Sequence, residues 1–375
     1  MSALARGVVL VGILLLAACA SAPQGILSPV PAKPGTQTVA MLAATTRAPS
    51  GEPATLFTGD RGDGVSFAAI DVSVPPNREP GTLQWPSTPP DPARSFAVTE
   101  VEPLQRTQVA PWFRTHASKS RRVFFFVHGF NTSFDRAVFR FAQLAHDADA
   151  RAAPVLFSWP SRGRLLDYKR DNDNASYSRS DLASLLETAA ASPEVGEITI
   201  LAHSLGSWVA VEAVRQLGLA HHGVPAKIRN LILASPDLDV GVFRRQVEDM
   251  GPRRPNITLF VAQTDRALRL SAFLTRGRTR LGAIDPGQEA YAAELEGLKG
   301  VTVLDLTGLR SNDRINHDLY AQSPEVVRLI GDRLIQGQVI TEADVEPGAA
   351  VEALGTAAGA VVTAPIRIFQ GAGLN

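Results

Sequence analysis

Cysteine is almost missing from this chain, with one residue, Cys19, among 375. A disulfide within the chain needs two cysteines, so the fold cannot depend on one. Charge of one sign is not in excess either, because 37 basic residues stand against 37 acidic ones. This balance lacks the positive charge with which proteins attract nucleic acids. We therefore expect no nucleic acid among the partners.

The apolar stretch near the N-terminus is short. It covers residues 8–16 and follows Arg6, whereas a membrane-spanning helix needs about 20 residues. A run of this length after a basic residue is typical of the hydrophobic region of a secretory signal peptide. The sequence Leu16-Ala17-Ala18-Cys19 resembles a bacterial lipobox, which implies that cleavage leaves Cys19 as a lipidated N-terminus.

This resemblance predicts a signal peptide over residues 1–18 and a mature lipoprotein anchored by lipid in the bacterial cell envelope. Ala20 and Ser21 follow the cysteine, and by resemblance to lipoprotein sorting signals the lack of an acidic residue there favours the outer membrane. Cleavage by ordinary signal peptidase near Ala18 or Ala22 is the alternative.

The rest of the chain divides into a linker, a domain and a tail. Residues 19–54 are rich in Pro, Ala, Thr and Gly, which is typical of a flexible linker. Residues 55–338 have the length of one domain, and the patterns at 64–74 and 95–98 predict antiparallel strands at its start. Residues 339–375 form an Ala/Gly-rich C-terminal tail to which the sequence assigns no role.

A serine stands between a strand pattern and a helix pattern. Residues 197–201 are mainly β-branched or aliphatic, and apolar residues recur at helical spacing over 205–217. Between them, Ala202-His203-Ser204-Leu205-Gly206 is nearly G-x-S-x-G, the turn that exposes a nucleophilic serine at the end of a strand. The alternative is that Ser204 only caps the helix.

A second turn suits the stabilisation of negative charge. The apolar run at residues 123–127 predicts a buried parallel strand, and it ends in His128-Gly129-Phe130-Asn131. A glycine there permits a sharp turn, so the N–H of Phe130 or Asn131 could point at the same spot as the N–H of Leu205. Two such donors form an oxyanion hole.

Strand and helix patterns alternate along the chain. Strands are predicted at residues 154–159, 228–234, 257–262 and 301–306, and helices at 175–191 and 324–336. This alternation predicts an α/β fold with a mostly parallel sheet and helices on both faces. Chemistry gathers at the C-terminal ends of such strands. The candidates that follow predicted strands are His128, Ser204, Asp237, Asp265 and His317.

Six short segments, in this order, resemble the DUF900 family of esterase/lipase-like α/β-hydrolases. The order of Ser204, an acid and then His317 matches the nucleophile–acid–histidine order of that fold. The resemblance covers roughly residues 55–335 and implies a serine hydrolase more firmly than it implies a substrate. The matching segments are Val127-His128-Gly129-Phe130-Asn131, Phe157-Ser158-Trp159-Pro160-Ser161, Leu201-Ala202-His203-Ser204-Leu205-Gly206, Leu233-Ala234-Ser235-Pro236-Asp237, Thr264-Asp265-Arg266-Ala267-Leu268 and Ile315-Asn316-His317.

The resemblance implies a catalytic triad of Ser204, Asp265 and His317. Asp265 follows the strand after which this fold usually carries its acid, and Asp237 follows the preceding strand, where some lipases carry theirs. Asp265 is favoured, with Asp237 as the alternative acid.

This triad implies ester hydrolysis through an acyl-enzyme, with no cofactor and no metal. We expect a small-molecule or lipid ester as substrate and a membrane as partner through the lipid anchor. The alternatives are a non-catalytic envelope lipoprotein that uses the fold for binding, or a peptidase, thioesterase or acyltransferase with the same triad.

Overall fold

The computed structural model describes residues 25–117, 119–164, 167–275, 279–296, 298–309, 315–335, 338 and 367–370. The predicted signal peptide, Cys19 and most of the predicted C-terminal tail lie outside these described residues. No helix within the described ranges is long and apolar enough to cross a membrane.

A mostly parallel sheet of ten strands runs through the described part of the chain. Across the sheet the order is β10-β9-β8-β7-β6-β4-β5-β1-β2-β3. Neighbours from β9 to β1 are parallel, whereas β2, β3 and β10 pair antiparallel. The predicted α/β-hydrolase architecture is confirmed. The strands are β1 (Gln37–Pro49), β2 (Phe57–Val74), β3 (Ala97–Leu104), β4 (Arg122–Val127), β5 (Ala153–Ser158), β6 (Glu197–His203), β7 (Ile228–Ala234), β8 (Asn256–Val261), β9 (Val301–Asp305) and β10 (Arg367–Gln370).

Helices cover both faces of this sheet. Short 3-10 turns at Arg106–Gln108 and Leu281–Ala283 and a π-helical turn at Ile330–Leu334 complete the helical structure of the described residues. The α-helices are α1 (Val109–His116), α2 (Phe134–Asp147), α3 (Tyr168–Ala191), α4 (Gly206–Ala220), α5 (Val240–Asp249), α6 (Arg266–Leu274), α7 (Glu289–Glu296), α8 (Leu319–Gln322) and α9 (Pro324–Leu329).

The phenylalanines of β4 show why this strand is apolar throughout. Phe125 packs on the face covered by α1, α3, α4 and α5. Phe124 and Phe126 point to the opposite face, where their rings lie 5.5 and 5.4 Å from that of Phe141 in α2. Side chains alternate between the two faces of a strand, and helices cover both faces here, so both sets must be apolar.

The segment predicted as a linker needs correction, because its second half is a strand. β1 lies inside the sheet, pairing in parallel with β5 and antiparallel with β2. Ile26 and Leu27, still earlier in the chain, are also buried. The small residues that suggested a linker instead let β1 pack between two neighbours. The predicted antiparallel strands after it correspond to β2 and β3.

Four residues of the predicted C-terminal tail join the sheet. Arg367–Gln370 forms β10, which pairs antiparallel with β9 at the edge. Phe369 is partly buried against the hydrophobic core on the face of the sheet that contains Phe125. This segment therefore extends the sheet beyond the domain boundary that the sequence predicts at residue 338.

Candidate active site

Ser204 occupies the sharp turn between β6 and α4. Its φ is 51°, in the left-handed region that non-glycine residues rarely adopt. The Ser204 N–H donates to the carbonyl of Ala234 at 2.9 Å, which ties the turn to β7. Within the described part of the chain, the Ser204 hydroxyl makes no hydrogen bond. The hydroxyl therefore does not cap the helix.

Gly206 makes this turn possible. A Cβ atom on Gly206 would lie 2.3 Å from the carbonyl oxygen of His128 and 2.6 Å from that of Val127. Both are backbone atoms at the end of β4, so they cannot move aside as a flexible side chain would. The glycine lets the start of α4 approach β4 and brings the Ser204 turn beside the loop after β4.

Asp265 and His317 lie together, 52 residues apart in the chain. His317 Nδ1 is 2.7 Å from Asp265 Oδ2. Asp265 is fully buried, and its other carboxylate oxygen accepts the N–H of Leu268 at 3.0 Å, capping α6. The acid is thereby fixed by the helix it caps, and it fixes the histidine ring.

The loop that carries His317 reaches the serine turn. The His317 carbonyl accepts hydrogen bonds from the ring of His203 at 3.2 Å and from the Ser235 hydroxyl at 3.3 Å. The rings of His203 and His317 lie 4.6 Å apart, and His203 directly precedes Ser204. The structure therefore brings Ser204, Asp265 and His317 together at the C-terminal ends of the parallel strands.

The two neighbouring histidines differ in charge. Burial alone would lower the pKa of His317, but the hydrogen bond and negative charge of Asp265 outweigh it and raise this pKa above its usual value. Burial lowers the pKa of His203 to about 4, helped by the charge of His317. His203 is therefore neutral at pH 7, and Asp265 stabilises the protonated form of His317.

Asp237, the alternative acid, lies elsewhere. Its carboxylate is 3.0 Å from Arg280 Nε, and it accepts hydrogen bonds from the hydroxyls of Ser271 at 2.7 Å and Tyr168 at 3.0 Å. These contacts join α3 to α6 and the loop after it. Of the two aspartates, only Asp265 hydrogen-bonds His317.

Two of the three N–H groups predicted for the oxyanion hole have no acceptor among the described residues. Within the described residues, the N–H groups of Leu205 and Phe130 make no hydrogen bond. The third donor, the Asn131 N–H, donates to the Asp171 carboxylate. Burial raises the pKa of Asp171, and this hydrogen bond partly opposes the rise. A Cβ on Gly129 would lie 2.9 Å from Ser204 Cβ, so the Phe130 loop lies directly against the serine.

Arg47, which is not among the residues predicted from the sequence, supports this loop from β1. Its guanidinium is buried, and the resulting loss of hydration lowers the pKa of Arg47 to about 9, although the charges of Asp171 and Asp135 oppose this. The available signal in the sequence was a lone arginine after a run of mainly small residues. Its partners are Ser158 Oγ (2.8 Å), the carbonyls of Thr58 (3.1 Å), Ser161 (2.8 Å) and Thr132 (2.8 Å), and His128 Nε2 (3.2 Å).

A cavity of about 540 Å³ opens beside these groups. Its walls come from the loop after β4, the first turns of α2 and the His317 loop, with apolar surface from Trp85 and Tyr320. It is large enough for a small organic substrate. The polar and backbone groups on its wall include Gly129, Phe130, Arg136, Arg140, His203 and His317.

Two histidines outside the site have polar protein partners. The ring of His221 lies 2.8 Å from Glu187, and that of His146 lies 2.8 Å from Gln37. Across the residues that the structure describes, no three His, Cys, Asp or Glu side chains are grouped so that they could hold a metal ion.

Comparison with known proteins identifies a family. A family model described as an alpha/beta hydrolase of unknown function, DUF900, matches residues 105–333. This range contains Ser204, Asp265 and His317 as well as the loop after β4. No curated protein matches the chain significantly.

Solved structures similar to this chain include three proteins, each 12% identical to it. A predicted CIB-like hydrolase from Thermoplasma acidophilum has a TM-score of 0.35, covering 80% of this chain and 99% of its own. Est1E from Butyrivibrio proteoclasticus has a TM-score of 0.37, with 74% and 96% covered. An esterase from Pyrobaculum calidifontis has a TM-score of 0.35, with 86% and 89% covered.

Proposed function

The chain belongs to the DUF900 family of α/β hydrolases, and on this premise we propose that it is a serine hydrolase that cleaves carboxylic esters of small molecules or lipids. The observation that carries the proposal is the 2.7 Å contact between Asp265 and His317 beside a serine held at a φ of 51°. A base oriented by an acid and placed near a serine at the apex of a sharp turn is the arrangement that activates a hydroxyl.

The proposed reaction begins with proton transfer from Ser204 to His317. Nδ1 of His317 donates to Asp265, so Nε2 keeps the lone pair that accepts the Ser204 proton. The serine oxygen attacks the ester carbonyl, and the N–H groups of Leu205 and Phe130 stabilise the oxyanion. The Ser204 hydroxyl is not yet hydrogen-bonded to the base, and such contacts often tighten only when substrate binds.

Three proton transfers complete the proposed cycle. His317 gives its proton to the leaving alcohol as the tetrahedral intermediate collapses to an acyl-Ser204 ester. Water then attacks this ester while His317 takes the water proton, and collapse returns the proton to Ser204 and releases the acid. Asp265 stays ionised throughout and stabilises the imidazolium form of His317.

Active-site labelling tests this proposal. The full chain and its Ser204→Ala variant would be treated with a fluorophosphonate probe and assayed on p-nitrophenyl esters of short and long acyl chains. We expect labelling of the wild type only, and a loss of turnover of about three to six orders of magnitude in the variant, since triad residues act as a unit.

Ser235→Ala is the matched control for the labelling experiment. Ser235 also follows a strand and has a φ of 46°, but its hydroxyl donates to the His317 carbonyl. This variant should still be labelled. A folded wild type that neither reacts with the probe nor hydrolyses any ester would contradict the proposal and favour a non-catalytic binding role.

For the location of the protein, we propose lipid anchoring in the cell envelope through Cys19, which lies outside the described residues. The basis is the lipobox-like sequence that ends in the single cysteine of the chain. Cells that express the wild type should incorporate radiolabelled palmitate into the protein, and cells that express Cys19→Ala should not. Unlabelled wild type with an N-terminus after Ala18 or Ala22 would indicate ordinary signal peptidase instead.

A further inference from the structure

Two arginines face the cavity from one side. Arg136 and Arg140 are one turn apart on α2, and both line the cavity of about 540 Å³ that His317 also lines. Residues four apart lie on the same face of a helix, so both side chains extend from one stripe of α2. The cavity therefore has a cationic wall beside the proposed catalytic histidine.

The two arginines differ in their partners. Arg140 donates to Gln143 Oε1 at 2.9 Å and to Asp318 Oδ2 at 3.3 Å. Arg136 makes no hydrogen bond and no ion pair with any residue that the structure describes. It also stands in the first turn of α2, where the helix dipole disfavours positive charge. Arg136 does interact electrostatically with Asp318: burial would raise the pKa of that carboxyl, and the charges of Arg140 and, to a smaller extent, of Arg136 help to lower it.

The other charges around the cavity leave this wall positive. Asp318 is the one carboxylate among the described lining residues, and it lies between Arg140 at 3.3 Å and His203 Nε2 at 3.6 Å. His203 and His128 are buried and neutral, because burial lowers the pKa of each. One carboxylate against the two guanidinium groups of Arg136 and Arg140 leaves this wall with an excess positive charge.

We propose that Arg136, with Arg140 behind it, binds an anionic group of the ester substrate, a carboxylate or a phosphate. This inference rests on the proposed ester hydrolysis, and it narrows the substrate class to esters that carry a negative charge away from the scissile bond. The ester carbonyl would lie against the Phe130 loop and Ser204, while the anion points along the cavity toward α2. Guanidinium groups suit such planar or multidentate oxygen anions.

Paired esters of equal acyl length test the kinetic consequence. The mono-p-nitrophenyl ester of adipate carries a terminal carboxylate, and p-nitrophenyl hexanoate lacks it. We expect the wild type to prefer the adipate ester in kcat/KM. In Arg136→Gln the ratio of kcat/KM for the two esters should fall about 10- to 100-fold, as expected for the loss of a charge-assisted hydrogen bond. Arg136→Lys should keep most of the preference.

A binding measurement keeps the test independent of turnover. Hexylphosphonate carries the anion without an ester and can enter the cavity in either direction, and hexanol is its uncharged counterpart. By calorimetry, Ser204→Ala should bind hexylphosphonate more tightly than hexanol, and adding Arg136→Gln should remove that difference. Arg151→Gln, which changes an exposed arginine beyond the far end of α2, is the control that should alter neither measurement.

The outcomes of these experiments distinguish anion binding at Arg136 from the proposed ester hydrolysis. Loss of the adipate preference in Arg136→Gln supports a carboxylate on the acyl half of the substrate. Phosphonate binding that depends on Arg136 without an adipate preference supports an anion in the other half. Equal binding of hexylphosphonate with and without Arg136, and no adipate preference, would overturn the inference. A wild type that binds the phosphonate but hydrolyses no ester would contradict only the proposed hydrolysis.

Discussion

Asp265 joins two structures with its two carboxylate oxygens: Oδ2 lies 2.7 Å from His317 Nδ1, and Oδ1 accepts the N–H of Leu268 at 3.0 Å. The first contact orients a histidine from a distant loop, and the second caps the helix that follows Asp265. Because the same side chain makes both contacts, the position of the histidine depends on how this helix begins.

Replacing the acid by its amide separates these two roles. Asp265→Asn can still cap α6, because asparagine is a favoured N-cap residue. It cannot provide the negative charge that orients His317 and raises its pKa. We expect kcat to fall about 10³- to 10⁴-fold, as for the loss of a triad acid. The acidic limb of the pH–rate profile should move to lower pH, because the pKa of His317 falls when the charge is removed.

Asp237→Asn is the control for this prediction. Asp237 contacts Arg280 and the hydroxyls of Tyr168 and Ser271 rather than His317. Measured on the same esters, the variant should keep the wild-type position of the acidic limb. If Asp237→Asn instead causes the larger loss in kcat and shifts the limb, the assignment of the acid to Asp265 is wrong.

Buried His203 should make the fold sensitive to acid. Unfolded chains bind a proton at this side chain near pH 6.5, whereas burial lowers the pKa of His203 in the folded protein to about 4. Between these values the unfolded state binds more protons, so the free energy of unfolding falls as the pH drops from 6.5 toward 4. The full effect is at most about 3.5 kcal/mol, since each pKa unit between about 4 and 6.5 corresponds to about 1.4 kcal/mol.

Unfolding by guanidinium chloride at several pH values measures this effect. His203→Asn should flatten the decline in unfolding free energy between pH 6.5 and 4, whereas His222→Asn, at an exposed position, should leave the slope as it is. His317 acts in the opposite sense, because its pKa is raised: its stabilising contribution is present below pH 6.5 and is lost as the pH rises through its folded pKa. An unchanged slope in His203→Asn would contradict the prediction.

The sequence predicted those parts of the site whose positions follow from local residue patterns and from the order of the strands. A strand, a serine and a helix within about 20 residues predict the turn at Ser204, because the geometry there is local. Asp265 and His317 follow neighbouring parallel strands, β8 and β9, and such strands end at one edge of a sheet. The order of the chain therefore brings these two residues close without further information.

The sequence did not predict the features that depend on packing between distant segments. β1 consists mainly of small residues that also occur in linkers, and only its pairing with β5 and β2 makes it a strand. Arg47 binds three backbone carbonyls, and a carbonyl is present in every residue, so no sequence pattern marks these partners. The unpaired state of Arg136 likewise depends on which side chains fold around it.

The close approach at Gly206 gives a prediction about the serine turn. In Gly206→Ala the new methyl would meet the His128 carbonyl at 2.3 Å, so β4 and α4 must separate. We expect loss of the proposed ester hydrolysis and a fold destabilised by about 1–3 kcal/mol or more, the usual cost of overpacking. Gly241→Ala, in α5, has only Asp239 Oδ1 at 3.4 Å and should be neutral or stabilising by up to about 1 kcal/mol. Equal stability and activity for the two variants would show that the approach at Gly206 is unimportant.

Arg47 and Arg61 are opposite partners in the β1–β2 pairing, and they give a matched test of the buried network. Arg47 is buried and uses its guanidinium to hold the loops after β4 and β5, whereas Arg61 is exposed and donates to Asn174. A lysine has three donors at one point, so in Arg47→Lys several carbonyl groups lose their partners.

We expect Arg47→Lys to lower the free energy of unfolding by about 2–5 kcal/mol, because each unsatisfied buried group costs about 1–3 kcal/mol. The loop that carries Phe130 should also lose its fixed position, so kcat should fall while the Ser204 probe still reacts slowly. Arg61→Lys should change stability by less than about 1 kcal/mol, as for other exposed sites. Guanidinium unfolding and ester kinetics on both variants measure these effects. Equal losses in the two variants would mean that the buried network does not support the loop after β4.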